Sequence, residues 1–210
     1  MEAKEQTKNR VAIAGQLSNA ETGQVIHRAR VEITKMPDSF KNWLTLRAMQ
    51  YGANWETMVE RPDRTQTAID GHFHFLDLPD GDYTLTASLP GTGTRYGAVE
   101  KEVKVSRNGD RIKLAAADIA LPPTGIKGQI TNTENKPIVM AKVQVKGTDE
   151  STFSDSKGNY LLSGLEVSKV QSTVRFCAQG YQQFYQDIQL SQGDVKPLNI
   201  QLNKPNYNPV

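Results

Sequence analysis

His72 and His74 stand two residues apart in a chain of 210 residues. On a β-strand, residues i and i+2 share a face, so the two imidazoles could hold one metal ion between them. A structural zinc site needs about four ligands and a catalytic one about three from the protein. Asp70 and Asp77 fall at turns nearby and His27 is remote in sequence, so the set is incomplete and no metal is assigned. Cys177 is the single cysteine. It can form no intrachain disulfide. A thiol nucleophile needs a histidine partner, and the three histidines all precede residue 75. Cys177 therefore reads as a small apolar residue of the strand Thr173–Ala178. Asp80 and Asp82 flank Gly81, where turn preference explains them. There is no His-Glu-x-x-His, no Gly-x-Ser-x-Gly and no glycine-rich loop opening a helix. These residues predict neither catalysis nor a cofactor, and the expectation is a protein that is not an enzyme.

The elements around these residues are strands and turns. The stretch Thr67-Ala-Ile-Asp70-Gly71-His72-Phe73-His74-Phe75-Leu-Asp-Leu78-Pro79-Asp-Gly81-Asp-Tyr83-Thr-Leu85 alternates with period two. Asp-Gly suits a tight turn because glycine accepts positive φ. Phe73 and Phe75 then share one sheet face, with both histidines on the other. Tyr83 and Leu85 resume the pattern after Pro79-Asp-Gly81. A looser copy follows, Ser154-Asp155-Ser-Lys-Gly158-Asn-Tyr160-Leu-Leu162-Ser-Gly-Leu165. Upstream of each lies a matching pair of strands. Val11–Leu17, with Gly15-Gln16, precedes Arg28–Ile33; Ile126–Ile130, with Gly128-Gln129, precedes Met140–Val145. The repeating unit is thus a whole domain of about 80–100 residues, the size of a small β-sandwich.

The pattern Gly-Gln-[Leu/Ile], then [Ala/Met]-x-Val-x-[Ile/Val], then Asp-Gly-x-Phe-x-Phe-x-x-Leu-Pro-x-Gly-x-Tyr-x-Leu resembles the carboxypeptidase regulatory-like domain. The first copy follows it closely. The second lacks Leu-Pro-x-Gly after Leu165 and has Glu166-Val-Ser-Lys169 instead. The resemblance implies an all-β chain of two tandem antiparallel β-sandwich domains, transthyretin-like (prealbumin-like), of seven or so strands each. It implies no shared catalytic residues. That family is similar in fold to the repeat domains of bacterial surface adhesins.

Phe73, Phe75, Tyr83 and Leu85 are expected in the first core, Tyr160 and Leu162 in the second. The expected order is an N-terminal tail (1–10), a first sandwich (11–121) with a helical insertion (37–62), a short linker (122–125), a second sandwich (126–204) and a C-terminal tail (205–210). Pro122 and Pro123 restrict φ and favour an extended, semi-rigid joint.

The formal net charge is +2 and 37% of residues are hydrophobic. Balanced charge disfavours a nucleic-acid partner. No apolar run reaches the ~20 residues of a membrane span. Residues 1–10 are charged and carry no hydrophobic leader core. This gives the expectation of a cytoplasmic protein, or of a secreted or surface-attached one if a leader precedes the chain.

The insertion is the main departure from the repeat. Pro37-Asp38-Ser39 reads as a helix start, capped by Asp38 or Ser39. Phe40, Trp43, Leu44, Ala48 and Tyr51 recur at helical spacing, and Gly52 is a stop. A second short helix is expected from Asn54, with Trp55, Met58 and Val59 on one side, ending before Pro62. Both tryptophans of the chain lie here. Two outcomes are open: the helices cap the sandwich and bury the tryptophans, or part of the aromatic surface docks a partner. The expectation is a helix from Ser39 to Tyr51 that packs Trp43 and Leu44 on the sandwich. Trp55 and Arg47 would then form an exposed rim, with Tyr51 and Arg61 beside them. Aromatic residues and Arg are enriched at binding hot spots. A secondary contact is expected at the loop Gly91–Gly97, with Arg95 and Tyr96 at its tip.

These expectations describe a structural or protein-interaction protein, an accessory or adaptor subunit of a larger assembly. The resemblance adds phage-tail-like particles, such as contractile injection systems, as one setting. The alternative is a carbohydrate- or cell-surface-binding module of a secreted protein, which requires an exposed planar aromatic platform.

Overall fold

The computed structural model describes residues 10–168 and 171–205; the expected tails, Arg10 and Pro205 apart, lie outside the described residues. The chain forms two compact units. Of the described residues, one unit contains 10–91 and 98–121; the other contains 92–97, 122–168 and 171–205.

In the first unit the strands are β1 (Val11–Asn19), β2 (Arg30–Lys35), β3 (Arg64–Gln66), β4 (His72–Leu76), β5 (Gly81–Ser88), β6 (Val99–Asn108), β7 (Arg111–Lys113), β8 (Ala115–Ala116) and β9 (Ile119–Leu121). One sheet has the order β4-β1-β8, with β9 also on β1; the other has the order β3-β2-β5-β6-β7. Pairing is antiparallel except where β8 and β9 return alongside β1 in parallel. Gly15 lies opposite Phe73 and Ile13 opposite Phe75. The alternation in β4 works as the sequence predicts: Phe73 and Phe75 are buried and the two histidines exposed. Tyr83, Leu85, Leu17, Val31, Val105 and Leu121 complete this core. The Tyr83 hydroxyl donates to the Pro79 carbonyl at 2.8 Å. Burial pushes its pKa up to about 12.

In the second unit the strands are β10 (Gly125–Asn132), β11 (Lys142–Val145), β12 (Ser151–Phe153), β13 (Asn159–Ser163), β14 (Ser172–Cys177), β15 (Phe184–Ile188), β16 (Val195–Pro197) and β17 (Ile200–Leu202). One sheet has the order β13-β10-β16, with β17 on β10; the other has the order β12-β11-β14-β15. Here too the two returning strands join in parallel. The core holds Tyr160 and Leu162 as expected, with Ile126, Ile130, Val174 and Phe176. Leu165 is buried although no Pro-x-Gly follows it.

The motif residues recur because they make the same bonds in each unit. A Cβ on Gly15 would lie 2.2 Å from the Ala117 carbonyl oxygen, and one on Gly128 would lie 2.0 Å from that of Leu198. Each glycine is required by a crossing backbone, not by its own φ. The next residue repeats the pattern. Gln16 N–H donates to Asp118 and its side chain to the Asp70 carbonyl, both at 2.9 Å. Gln129 does the same with Asn199 at 2.9 Å and Lys157 at 2.8 Å. The Thr67 hydroxyl donates to the Ile26 carbonyl and accepts from Ala29 N–H. Ser154 bridges Ile138 and Ala141 in the same way. Ala29 and Thr67 are 38 residues apart, whereas Ala141 and Ser154 are 13 apart. The insertion occupies that difference.

Candidate functional site

The insertion leaves the first sandwich after β2. Helix α1 spans Asp38–Tyr51 and α2 spans Asn54–Thr57. The expected side-chain cap is absent. Pro37 holds the cap position, and its carbonyl accepts from Phe40 and Lys41 N–H at 3.1 and 3.0 Å. Proline has no N–H of its own to satisfy there. Gly52 ends the helix with φ 56°, its N–H donating to the Ala48 carbonyl.

Helix α1 docks through Phe40 and Leu44, both buried. The Phe40 ring meets the Tyr83 ring edge-on. Pro37 lies against Gly81, where a Cβ would fall 2.3 Å from its Cγ. Hence the helix is seated on the turn that opens β5.

The two tryptophans take places opposite to those expected. Trp55, assigned to the rim, is 7% exposed. Tyr51 packs beside it at 5.9 Å between centroids, and the Arg61 guanidinium sits over its ring at 4.9 Å. Trp43, expected to pack with Leu44, is 40% exposed. It stacks on Phe40 at 5.7 Å and carries Arg47 over its ring at 5.2 Å. The reason is helical phase: residues 40 and 44 point at the sandwich, so residue 43 falls on the flank.

Arg61 is a structural residue and not part of an exposed rim. Its side chain is 8% exposed. It forks onto Asp63 at 3.0–3.1 Å and reaches the Trp55 carbonyl. Arg64 pairs with Glu32 and donates to the Met58 carbonyl at 3.2 Å. These two guanidinium groups pin the far end of the insertion to β2 and β3.

Above this base the insertion exposes apolar surface. Leu46, Met49, Tyr51 and Val59 are 61, 73, 47 and 55% exposed. Leu46 and Met49 follow Trp43 at three-residue steps, a spacing readable from the sequence. In the sequence the stripe through Phe40 and Leu44 obscures them. Two hollows flank Trp43. One of about 630 Å³ is walled by Phe40, Pro62, Thr65, His74, Phe75 and Asp77. The other, about 350 Å³, is walled by Arg47, Tyr51, Trp55 and Met58.

The remaining expected contacts lie in the second unit. Arg95 is not at a free tip: its guanidinium donates to Glu150 at 2.8 Å and to the Gly164 carbonyl, with Glu166 at 3.5 Å. The Tyr96 carbonyl accepts from the Gln192 amide at 2.8 Å. The Glu150 carboxyl is held below its usual range, first by the Thr148 hydroxyl and then by Arg95. His72 pairs with Asp70 at 3.2 Å on the outer face. Asp70 also titrates low, chiefly because His72 N–H donates to it. Among the described residues no group of three His, Cys, Asp or Glu side chains is placed to hold a metal. Cys177 is half-buried and unbridged. No helix among the described residues is long and apolar enough to cross a membrane.

No curated protein matches the chain. Solved structures that align with the chain include the Bacillus anthracis TIE protein, at 15% identity and TM-score 0.38 over 93% of this chain and 34% of that one. A streptococcal ancillary pilin aligns at 13% identity and TM-score 0.36 over 93% and 62%. The shaft pilin SpaA of Lactobacillus rhamnosus GG aligns at 10% identity and TM-score 0.40 over 94% and 98%. This chain thus spans about a third of the first and under two thirds of the second. A family profile, the carboxypeptidase regulatory-like domain, matches residues 125–203. The fuller motif of the first unit, residues 67–85, lies outside that match. There the insertion separates β2 from β3 and β4 and breaks the linear spacing. Within the second unit, residues 125–203 are thus similar to the carboxypeptidase regulatory-like domain family.

Proposed function

We propose that this protein is a non-enzymatic structural and interaction protein, and that the insertion on its first unit docks a protein partner. The observation that carries this reading is the double face of α1. Phe40 and Leu44 are buried while Trp43, Leu46 and Met49 are exposed on the same helix. A helix needed only as a cap has no use for a second apolar face. The second unit builds the same kind of sandwich with a short turn at this position.

We further propose that the first unit is a second copy of the same family domain. The matching roles of Gly15 and Gly128, Gln16 and Gln129, and Thr67 and Ser154 support it. The larger assembly, with a phage-tail-like contractile injection particle as the named case, is proposed from the resemblance. Tube and sheath genes beside this one would support that setting, and polysaccharide-degrading genes would favour the carbohydrate-binding alternative. The ring contacts weigh against that alternative. Phe40 and Arg47 already engage the Trp43 ring, and Trp55 is buried, so neither indole offers the free flat face on which a sugar stacks.

The test replaces residues 38–61 with the loop of the second unit, Lys146 to Glu150. A chimera that folds but no longer joins its assembly supports docking through the insertion. One that folds and assembles normally overturns it.

A further inference from the structure

Strand β15 ends the sheet order β12-β11-β14-β15. Its counterpart in the first unit, β6, is covered by β7. That edge also carries Lys101, Lys104, Arg107, Arg111 and Lys113. Lysine, proline and covering strands are the usual means by which folded proteins keep an edge from pairing. β15 reads Phe184-Tyr-Gln-Asp-Ile188, with no lysine or proline, and among the described residues no strand covers it. Phe184 and Tyr185 are 39 and 49% exposed.

The direction of the free backbone groups follows from one bond. The Thr173 carbonyl accepts from Lys146 N–H at 2.8 Å, on the β11 side. Backbone groups alternate in direction along an antiparallel strand. Ser172, Val174 and Phe176 therefore face β15, where they oppose Ile188, Gln186 and Phe184. It follows that the N–H and C=O groups of Tyr185 and Asp187 point to the open edge. The Gln186 amide folds onto one of these groups, donating to the Asp187 carbonyl at 3.0 Å.

We propose that this edge pairs with the same edge of a second copy of the chain, antiparallel and centred on Gln186. The two-fold then sets Tyr185 opposite Asp187 of the second copy, twice. Both residues turn their backbone groups to the edge, and each such pair exchanges two hydrogen bonds once the Gln186 amide gives up the Asp187 carbonyl. Phe184 falls opposite Ile188 of the second copy, an aromatic–aliphatic pair of the kind that stabilises sheets. The strand's single charge, Asp187, meets a tyrosine and never its own copy. Moving the centre to Asp187 would set the two carboxylates against each other, and moving it to Tyr185 would set Phe184 opposite Gln186 and lose the aromatic–aliphatic pair, so charge and side-chain pairing together select the register. The contact is short beside a standard interface, and the dimer is weak and reversible.

Sedimentation equilibrium of the full chain over a wide concentration range is the test. The wild type is expected to follow a monomer–dimer equilibrium. Tyr185→Lys places a cation opposite Asp187 twice and should tighten the dimer by about fivefold at low salt, with the gain lost at high salt. The double variant Tyr185→Lys/Asp187→Lys opposes like charges and should be monomeric. Both positions face outward, and circular dichroism confirms that the variants fold. Three results overturn the proposal. One is a monomer at every concentration for both wild type and Tyr185→Lys. Another is a dimer indifferent to both variants. The third is a dimer that tightens when the chain is ended at Pro205, which would make residues 206–210 the occupant of the edge.

Discussion

The Phe40 ring meets the Tyr83 ring edge-on, with centroids 6.2 Å apart and planes at 68°. Phe40 belongs to the insertion and Tyr83 to the sandwich core, so this aromatic pair, with buried Leu44 beside it, helps to seat the helix that carries the exposed surface on the fold. Phe40→Ala should cost about 3–5 kcal/mol, the range for deleting a buried ring. It should also speed amide exchange throughout α1 while strands β10–β17 keep their protection. Unchanged exchange in α1 would show that Leu44 and Arg61 hold the helix without Phe40.

Tyr83 also gives the first unit an alkaline limit. Burial raises its folded pKa to about 12, above the ~10 of an unfolded chain. For a raised pKa, the linked stability is complete below the unfolded value and is lost as pH rises through the folded one. The first unit should therefore weaken between about pH 10 and pH 12. Tyr83→Phe should flatten that dependence and itself cost about 0.5–1.5 kcal/mol for the lost bond to Pro79. Calorimetry against pH reads both effects.

Glu150 gives the second unit the converse limit. Its carboxyl is held low by the Thr148 hydroxyl and by Arg95. Its contribution is complete above the usual carboxylate pKa of ~4.3 and is lost as pH falls through the lower folded value. Glu150→Gln should reduce the acid sensitivity of the second unit and leave the first unit's pH profile as it was. An unaltered acid limb in the second unit would mean that other carboxylates set it.

The β4 core was legible in the sequence because a strand's period of two leaves only two faces to choose between. Phe73 and Phe75 had to be inside if His72 and His74 were outside. The Gly-Gln pairs were legible as motif and acquired a cause only from the crossing backbone at Ala117 and Leu198. The parallel return of β8 and β9 was not legible, since Ala115–Ala116 and Ile119–Leu121 are too short to show a period. The edge position of β15 is a fact of topology that no local pattern carries. Trp43 and Trp55 exchanged roles for a related reason. The docked face of α1 is chosen by contact with Tyr83, and α2 is only four residues long.

Gly15 and Gly128 make the two units separately addressable. Each added Cβ would sit on a carbonyl oxygen, that of Ala117 or that of Leu198. Backbone at that distance must move, and overpacking of this kind costs about 1–3 kcal/mol or more. Gly15→Ala should lower the melting of the first unit alone, and Gly128→Ala that of the second alone. A shift of both transitions by either variant would mean that the units do not unfold independently.

The exchanged tryptophans yield the most direct check on the insertion. Trp55 is 7% exposed and lies under Arg61, whereas Trp43 is 40% exposed. Trp43→Phe should leave a protein whose indole emission is blue and poorly quenched by acrylamide. Trp55→Phe should leave one whose emission is red and readily quenched. Their energetics should differ in the same sense. Trp55→Ala opens a cavity beneath Arg61 and Tyr51 and should cost about 3–5 kcal/mol. Trp43→Ala removes a half-exposed ring and should cost much less, while weakening any partner that docks beside Leu46 and Met49. If quenching instead finds Trp55 the accessible indole and Trp43 the shielded one, the insertion docks through Trp43 and not through Trp55. The docking surface would then have to be drawn again around Trp55 and Arg47.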